Sequence, residues 1–257
     1  MLMILSPAKT LDFESPLTTR RRSTPQCSSE AAEVIASLRK LTERELSKRM
    51  KLKPELAEAT LRQYAAWQQK PNTRIARPAA MAYRGNAYVG LDAAAFSDDD
   101  FAFAQDSLRI LSGLYGILRP LDLIQPYRLE MAMKLGTSRG GTLYEFWTET
   151  ITGELSRQLK RNGDRELVNL ASGEYSRAVD FGAIGAEVVV ASFLEDRGGR
   201  VAPVAAFAKK ARGLMAAYVI RNRLSEPAEM KSFDLEGYRF DAGRSSDVEY
   251  VFTRSDS

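Results

Sequence analysis

The chain has 257 residues, 44% hydrophobic and 27% charged, with a formal net charge of +4, no histidine and a single cysteine. This is an ordinary globular composition, long enough to bury roughly 70–75% of its unfolded surface, and no apolar run approaches the ~20 residues of a membrane helix. The missing histidine excludes Ser-His-Asp and Cys-His catalysis and every histidine-containing metal site, and a lone Cys27 excludes an internal disulfide and multi-cysteine zinc or iron–sulfur centres.

In chain order, Met1 to Leu5 reads as a short buried strand ended by Ser6 and Pro7. MLMIL is too short for a signal-peptide hydrophobic region and has no basic residue ahead of it, so the cytoplasm is the default compartment. Ser6, Pro7, Ala8 and Lys9 spell S-x-x-K, but the S-D-N and K-T-G partners are missing and the motif follows a strand instead of opening a helix. Lys9 is better read as a cation held at a strand end. Residues 17–29, rich in Ser, Thr, Arg and Pro, form the clearest loop. Arg20, Arg21 and Arg22 lie ahead of Cys27, where their field favours a thiolate, although a passive loop thiol is the simpler reading. Helical patterns occupy 28–49 and 54–69, with Lys48, Arg49, Lys51 and Lys53 reading as a solvated helix end before Pro54. The segment 81–91, MAYRGNAYVGL, reads as a hairpin about Gly85 and Asn86.

Ser97 or Asp98 caps the next helix, Asp99 and Asp100 suit its positive end, and Phe101, Ala104, Leu108 and Leu111 recur with helical spacing until Gly113 stops it. Leu114, Tyr115 and Gly116 follow. Two glycines allow positive φ and let backbone amides converge on an anion, and Arg109, Arg119 and Arg128 lie around this turn in sequence. The plainer reading is a helix C-cap, a tight turn and solvated arginines.

Thr142 and Glu145 form a capping-box pattern opening a helix that carries Trp147, Ile151 and Leu155 and ends near Asn162 and Gly163. LVNLA at 167–171 is a buried strand. The cluster Asn169, Ser172, Glu174 and Tyr175, with Glu130, offers oxygen ligands for Mg²⁺ in a nuclease-like site; the alternative is a helix-capping Ser172 with surface acids. Residues 187–194 and 201–207 flank a hairpin signal at Asp196–Gly199, and Tyr238–Asp241 with Val248–Phe252 suggest a second hairpin. Between them, over 208–224, Phe207, Ala211, Leu214 and Tyr218 fall on one helix face and Lys209, Arg212 and Arg223 on the other, a cationic face suited to solvent or to phosphate.

Hairpins interleaved with helices predict one α+β domain over 1–257, with a mixed, mostly antiparallel sheet surrounded by helices and a frayed tail at 252–257. A Walker A loop and a dinucleotide fingerprint are missing from the sequence, so no cofactor is expected. Nor is a resident metal: an iron site here would rest on carboxylates, tyrosines and water.

Four blocks, SPAKTLDFESPL at 6–17, FSDDDFAFAQDSLRILSGLYGILRPLDLIQPYRLEM at 96–131, LVNLASGEYSRAV at 167–179 and AKKARGLMAAYVIRNRL at 208–224, resemble the YaaA family of bacterial peroxide-stress proteins. The resemblance covers nearly the whole chain. It implies a cytoplasmic DNA-binding protein of the oxidative-stress response, linked to low free iron and less oxidative DNA damage, with a helix-hairpin-helix-like element and a positively charged cleft. The expectation that follows is a sequence-tolerant grip on double- or single-stranded DNA. Amides of Gly113 to Gly116 and the side chains of Lys9, Arg109, Arg119, Arg128, Lys209, Lys210 and Arg212 would meet phosphates, and Tyr115 and Tyr127 would stack on bases. Gly113 and Gly116 are three apart, where a helix-hairpin-helix turn has its glycines two apart, and Pro120 and Pro126 limit any following helix. The rival expectation is a metal-assisted hydrolase or transferase acting on nucleic acid or nucleotides through Glu130 and Glu174.

Overall fold

A computed structural model describes residues 1–255. The first strand, β1 (Leu2–Leu5), is buried along its whole length and is followed by the two-residue β2 (Thr10–Leu11). Helices α1 (Ser28–Leu38), α2 (Glu43–Met50) and α3 (Pro54–Ala66) come next. The second starts on a capping box between Thr42 and Glu45, and the third carries Pro54 at its first position, where a missing N–H is harmless. A run of short elements follows: β3 (Arg77–Pro78), α4 (Ala79–Ala82), β4 (Tyr83–Arg84) and α5 (Asn86–Leu91). Then come α6 (Asp98–Ser107), β5 (Leu108–Ser112), β6 (Gly116–Leu118) and β7 (Leu123–Ile124). The long α7 (Leu143–Asn162) opens on the Thr142–Glu145 capping box and closes on Gly163 at φ 73°, as its sequence signals predict. The remainder is β8 (Glu166–Leu170), α8 (Gly173–Ser176), β9 (Glu187–Arg197), β10 (Arg200–Ala202), α9 (Ala205–Asn222), β11 (Arg239–Phe240) and β12 (Glu249–Ser255).

Among the described residues, eight strands form one mixed sheet in the order β11-β12-β9-β8-β1-β5-β6, with β10 on β9. The expected mixture of helices and a mixed sheet is present, but the pairing is mostly parallel instead of mostly antiparallel. β5–β1, β1–β8, β8–β9 and β9–β12 are parallel, whereas the antiparallel pairs β5–β6, β9–β10 and β11–β12 come from hairpins at the periphery. The reason lies in the central strands. LMIL, LVNL and LRILS are buried on both faces and, apart from Asn169, Arg109 and Ser112, apolar, which is the pattern of parallel strands joined by helical crossovers.

Several local expectations are corrected. The helix expected to reach Gly113 ends at Ser107, because Leu108 turns extended (φ −122°, ψ 136°) and residues 108–110 pair with β1. The glycine turn therefore joins two antiparallel strands, with Ser112 opposite Gly116, and a strand hairpin stands where a helix-hairpin-helix-like element was expected. Within 81–91 only Tyr83–Arg84 is strand, paired with β2, and Gly85 leads into α5 instead of turning a hairpin. In α9 the simple two-faced wheel fails. Phe207 is exposed, while Ala208, Ala211, Gly213, Met215, Ala216 and Ala217 are buried, so the helix is enclosed on several sides by α5, α6 and the sheet. Residues 252–255 of the expected frayed tail belong to β12 and pair with β9; residues 256 and 257 lie outside the described residues. No helix among the described residues is long and apolar enough to cross a membrane.

Candidate nucleic-acid interface

In a parallel sheet, ligands gather where the strands end, because the loops there are free to carry polar groups while the strand interiors are sealed. β1 and β8 are adjacent and parallel, so the chain leaves both strands at the same end of the sheet. Their exits are clasped: Ser6 Oγ accepts from Ser172 N at 2.8 Å and lies 3.2 Å from Ser172 Oγ, and Tyr88 hydroxyl donates to the Ser6 carbonyl at 3.0 Å. Above this clasp is a pocket of about 330 Å³. Four cations line it: Lys9 from the loop after β1, Arg84 from β4, and Lys209 and Arg212 from α9, against the single carboxylate of Glu174. A second hollow of about 610 Å³ shares Lys9 and Arg84 with the first and adds Arg128, so the two form one groove. Its acids are Asp12 and Glu14.

The close approach of α5 and α9 places Arg212 and Lys209. A Cβ on Gly213 would fall 1.7 Å from the Ala87 carbonyl oxygen, and one on Gly90 would fall 2.2 Å from the Lys210 carbonyl oxygen. Both helices touch backbone to backbone, which glycine alone permits. The first turn of α5 thereby meets the first half of α9 at the pocket wall, bringing Asn86 and Ala87 beside Lys209 and Arg212.

The electrostatics are uneven. Lys9 Nζ sits 2.8 Å from Glu130, with Arg128 at 4.0 Å from the same carboxylate, and Arg84 lies 3.3 Å from Asp12. Lys209 is exposed and has no ion-pair partner among the described residues. Burial pushes the Arg212 guanidinium below its ordinary pKa. Among the described residues, two buried side-chain nitrogen or oxygen atoms lack a hydrogen-bond partner, Arg128 Nε and Arg212 Nε, and both belong to this groove. Buried donors without protein acceptors are uncommon in folded proteins, and a charged donor left so is open to an anion or a water.

The remaining sequence candidates lie elsewhere. Arg109 is 3% exposed and its Nη1 donates to the carbonyls of Gln105 and Leu108, both at 2.7 Å. Burial pushes its pKa down to about 10. The amides of Leu114 and Tyr115, expected to face an anion, donate to Ser112 Oγ at 3.2 and 3.0 Å. Gly113 gives its carbonyl to Trp147 Nε1, and a Cβ on Gly116 (φ 66°) would fall 2.5 Å from the Trp147 ring, so these glycines serve packing. Tyr115 accepts from Trp67 Nε1 and Gln125 N, and Tyr127 hydroxyl bonds Tyr83 and Ser112. At 2% and 6% exposure neither ring is free to stack on a base. Arg119 is tied to the buried Asp122 at 2.9 Å, Lys210 is paired with Glu236, and Arg223 with Asp100.

Among the described residues no group of three or more Cys, Asp or Glu is placed to hold a metal. Glu130 faces Lys9, and Glu174 accepts from the Ala132 amide at 3.3 Å. Cys27 is buried, and burial with the nearby Glu30 pushes its thiol pKa up to about 12, so the field of Arg20 to Arg22 does not yield a thiolate. The sequence reading missed Arg84. Its signal was an arginine directly before Gly85 and Asn86, hidden inside a segment assigned to a hairpin.

Residues 1–244 match the family model described as peroxide stress protein YaaA.

Proposed function

We propose, for a chain that belongs to the peroxide stress protein YaaA family, that its part in the oxidative-stress response is to hold DNA by the phosphate backbone along the groove of Lys9, Arg84, Arg128, Lys209 and Arg212. The observation that carries this reading is the pair of partnerless buried guanidinium nitrogens on Arg128 and Arg212, both in the groove where Lys9, Arg84 and Lys209 also lie. Phosphates are the acceptors that satisfy such donors without regard to sequence, and each one neutralised sheds its counterions. A redox-active cation such as Fe²⁺ held at those phosphates is shed with the rest, which connects strand binding to protection from peroxide. Lys9 and Arg84 exchange Glu130 and Asp12 for phosphate on binding, so their contribution is smaller than that of Lys209 and Arg212.

Anisotropy of labelled duplexes of unrelated sequence, titrated with the full chain between 50 and 200 mM salt, tests this. Five phosphate contacts predict a slope of log K on log salt near about −4.5 for duplex, a loss of roughly 500-fold over that range, and a shallower slope of about −3.5 for single strands. Affinities for different sequences should agree within a few-fold. Binding indifferent to salt, or confined to one sequence, overturns the reading.

A further inference from the structure

The pocket half of the groove is shaped for more than a phosphate. We infer that it seats one unpaired nucleotide, with the phosphate on Arg212 and Lys209 and the base edge on Glu174; this rests on the groove reading for how a DNA strand arrives.

The first reason is size. At about 330 Å³ the pocket is at the low end of the ~300–1,000 Å³ typical of small-molecule sites, too small for stacked base pairs and suited to a ligand of nucleotide dimensions. The second is the mixed character of its walls. Leu5, Ala8, Leu170 and Tyr175 bring apolar surface to the same lining as the cations of α9. A bare anion site has no use for such a surface, whereas a base does, because every base has an apolar face. The third is Glu174, the one carboxylate in a lining otherwise positive. Placed against a phosphate it would repel, but it accepts from the N–H donors that guanine, adenine and cytosine present on their edges. The fourth is Arg212, whose buried Nε has no protein acceptor and whose enclosure weakens competition from water. A base inside a duplex cannot reach this depth, so the ligand is a nucleotide extruded from the stack, at a strand end, or free.

The test uses the full-length protein and three probes: a perfect duplex, the same duplex with one extrahelical 2-aminopurine nucleotide, and free dGMP as competitor, with inorganic phosphate as the control anion. The expected result is at least 10-fold tighter binding of the bulged duplex, a 2-aminopurine emission change on binding, and competition by dGMP at concentrations where phosphate is without effect. Arg212→Met and Glu174→Gln should each bring the bulge preference to within about 2-fold while perfect-duplex affinity falls by no more than one phosphate contact requires. Glu174→Gln keeps the size of the side chain, so the argument survives if Arg212→Met does not fold. Perfect-duplex binding with no bulge preference and no dGMP competition overturns the pocket and leaves the groove standing. The converse, dGMP binding lost in both variants with no affinity for duplex, supports the pocket, names a free nucleotide as its ligand and removes the groove reading. Phosphate competing as well as dGMP reduces the pocket to an anion site and overturns the inference.

Discussion

Substituting alanine for Gly213 probes the contact that positions the α9 cations. The new methyl would start 1.7 Å from the Ala87 carbonyl oxygen, 2.7 Å from its carbon and 2.8 Å from the Leu91 nitrogen, all backbone atoms that no rotamer change can move aside. Reaching van der Waals separation requires α5 and α9 to part by roughly 1.5 Å. Overpacking of this kind costs about 1–3 kcal/mol, and backbone obstacles put it at the top of that range. Better helix propensity offsets about 1 kcal/mol. The net loss of about 2 kcal/mol corresponds to a melting temperature lower by about 4–8 °C in a chain of this size. Gly153, in the middle of α7, is the matched control: its added Cβ meets only the far end of the flexible Arg157 side chain, at 3.6 Å. There Gly→Ala should stabilise by about 1 kcal/mol, raising the melting temperature by about 2–4 °C. Calorimetry or thermal circular dichroism of both variants reads the difference, and duplex affinity measured well below the transition should fall for Gly213→Ala alone. Equal stabilisation by the two substitutions would refute the backbone contact and the account of how Arg212 is placed.

Gly116→Ala should destabilise the fold through its positive φ and the clash with Trp147, yet leave duplex affinity unchanged in protein that remains folded; lost affinity there would restore the glycine turn as a phosphate grip. Cys27 should resist iodoacetamide at pH 8 in the native state and react on unfolding in urea, since burial keeps the thiol protonated up to about 12. The Asp12 carboxyl is held well below the usual carboxylate range, first by the Ser15 hydroxyl and then by the Ser15 and Glu14 amides. A depressed folded pKa contributes stability that is complete well above the unfolded value near 4 and is lost progressively as pH falls through that value toward the lower folded one. Asp12→Asn should therefore lower stability at pH 7 and flatten its decline on acidification, as read by urea midpoints between pH 7 and 3; an unchanged acid limb would contradict this.

Local chemistry explains which parts of the fold were legible beforehand. Thr142, Glu145 and Gly163 bound α7 through contacts within a few residues, and Asp196–Gly199 turns the β9–β10 hairpin for the same reason. Parallel pairing of β1 with β5 and β8 leaves no turn signal, since partners more than 100 residues apart are brought together by burial alone. The misread stretch at 108–112 shows the conflict directly. Leu108 and Leu111 continue the helical spacing of Phe101 and Ala104, but Leu108, Ile110 and Leu111 also suit a buried strand, and registry with β1 decides for strand. At the site, Lys9, Arg128, Lys209 and Arg212 were among the residues singled out, and the fold brings them to one groove. Tyr115, Tyr127 and Arg109 were singled out on the same grounds and are inside the core, because exposure is a property of the whole fold and not of a residue's neighbours in sequence.

The salt dependence of duplex binding, compared between two sets of triple-alanine variants, tests the groove most directly. Removing Arg84, Arg128 and Lys209 should reduce the slope of log K on log salt by about 0.9 per cation, roughly 2.7 in all, whereas removing Arg44, Lys48 and Lys160, exposed cations that do not line the groove, should leave it nearly unchanged. Equal reductions in the two sets would mean that DNA sees only the net charge, and would contradict a groove built to hold it.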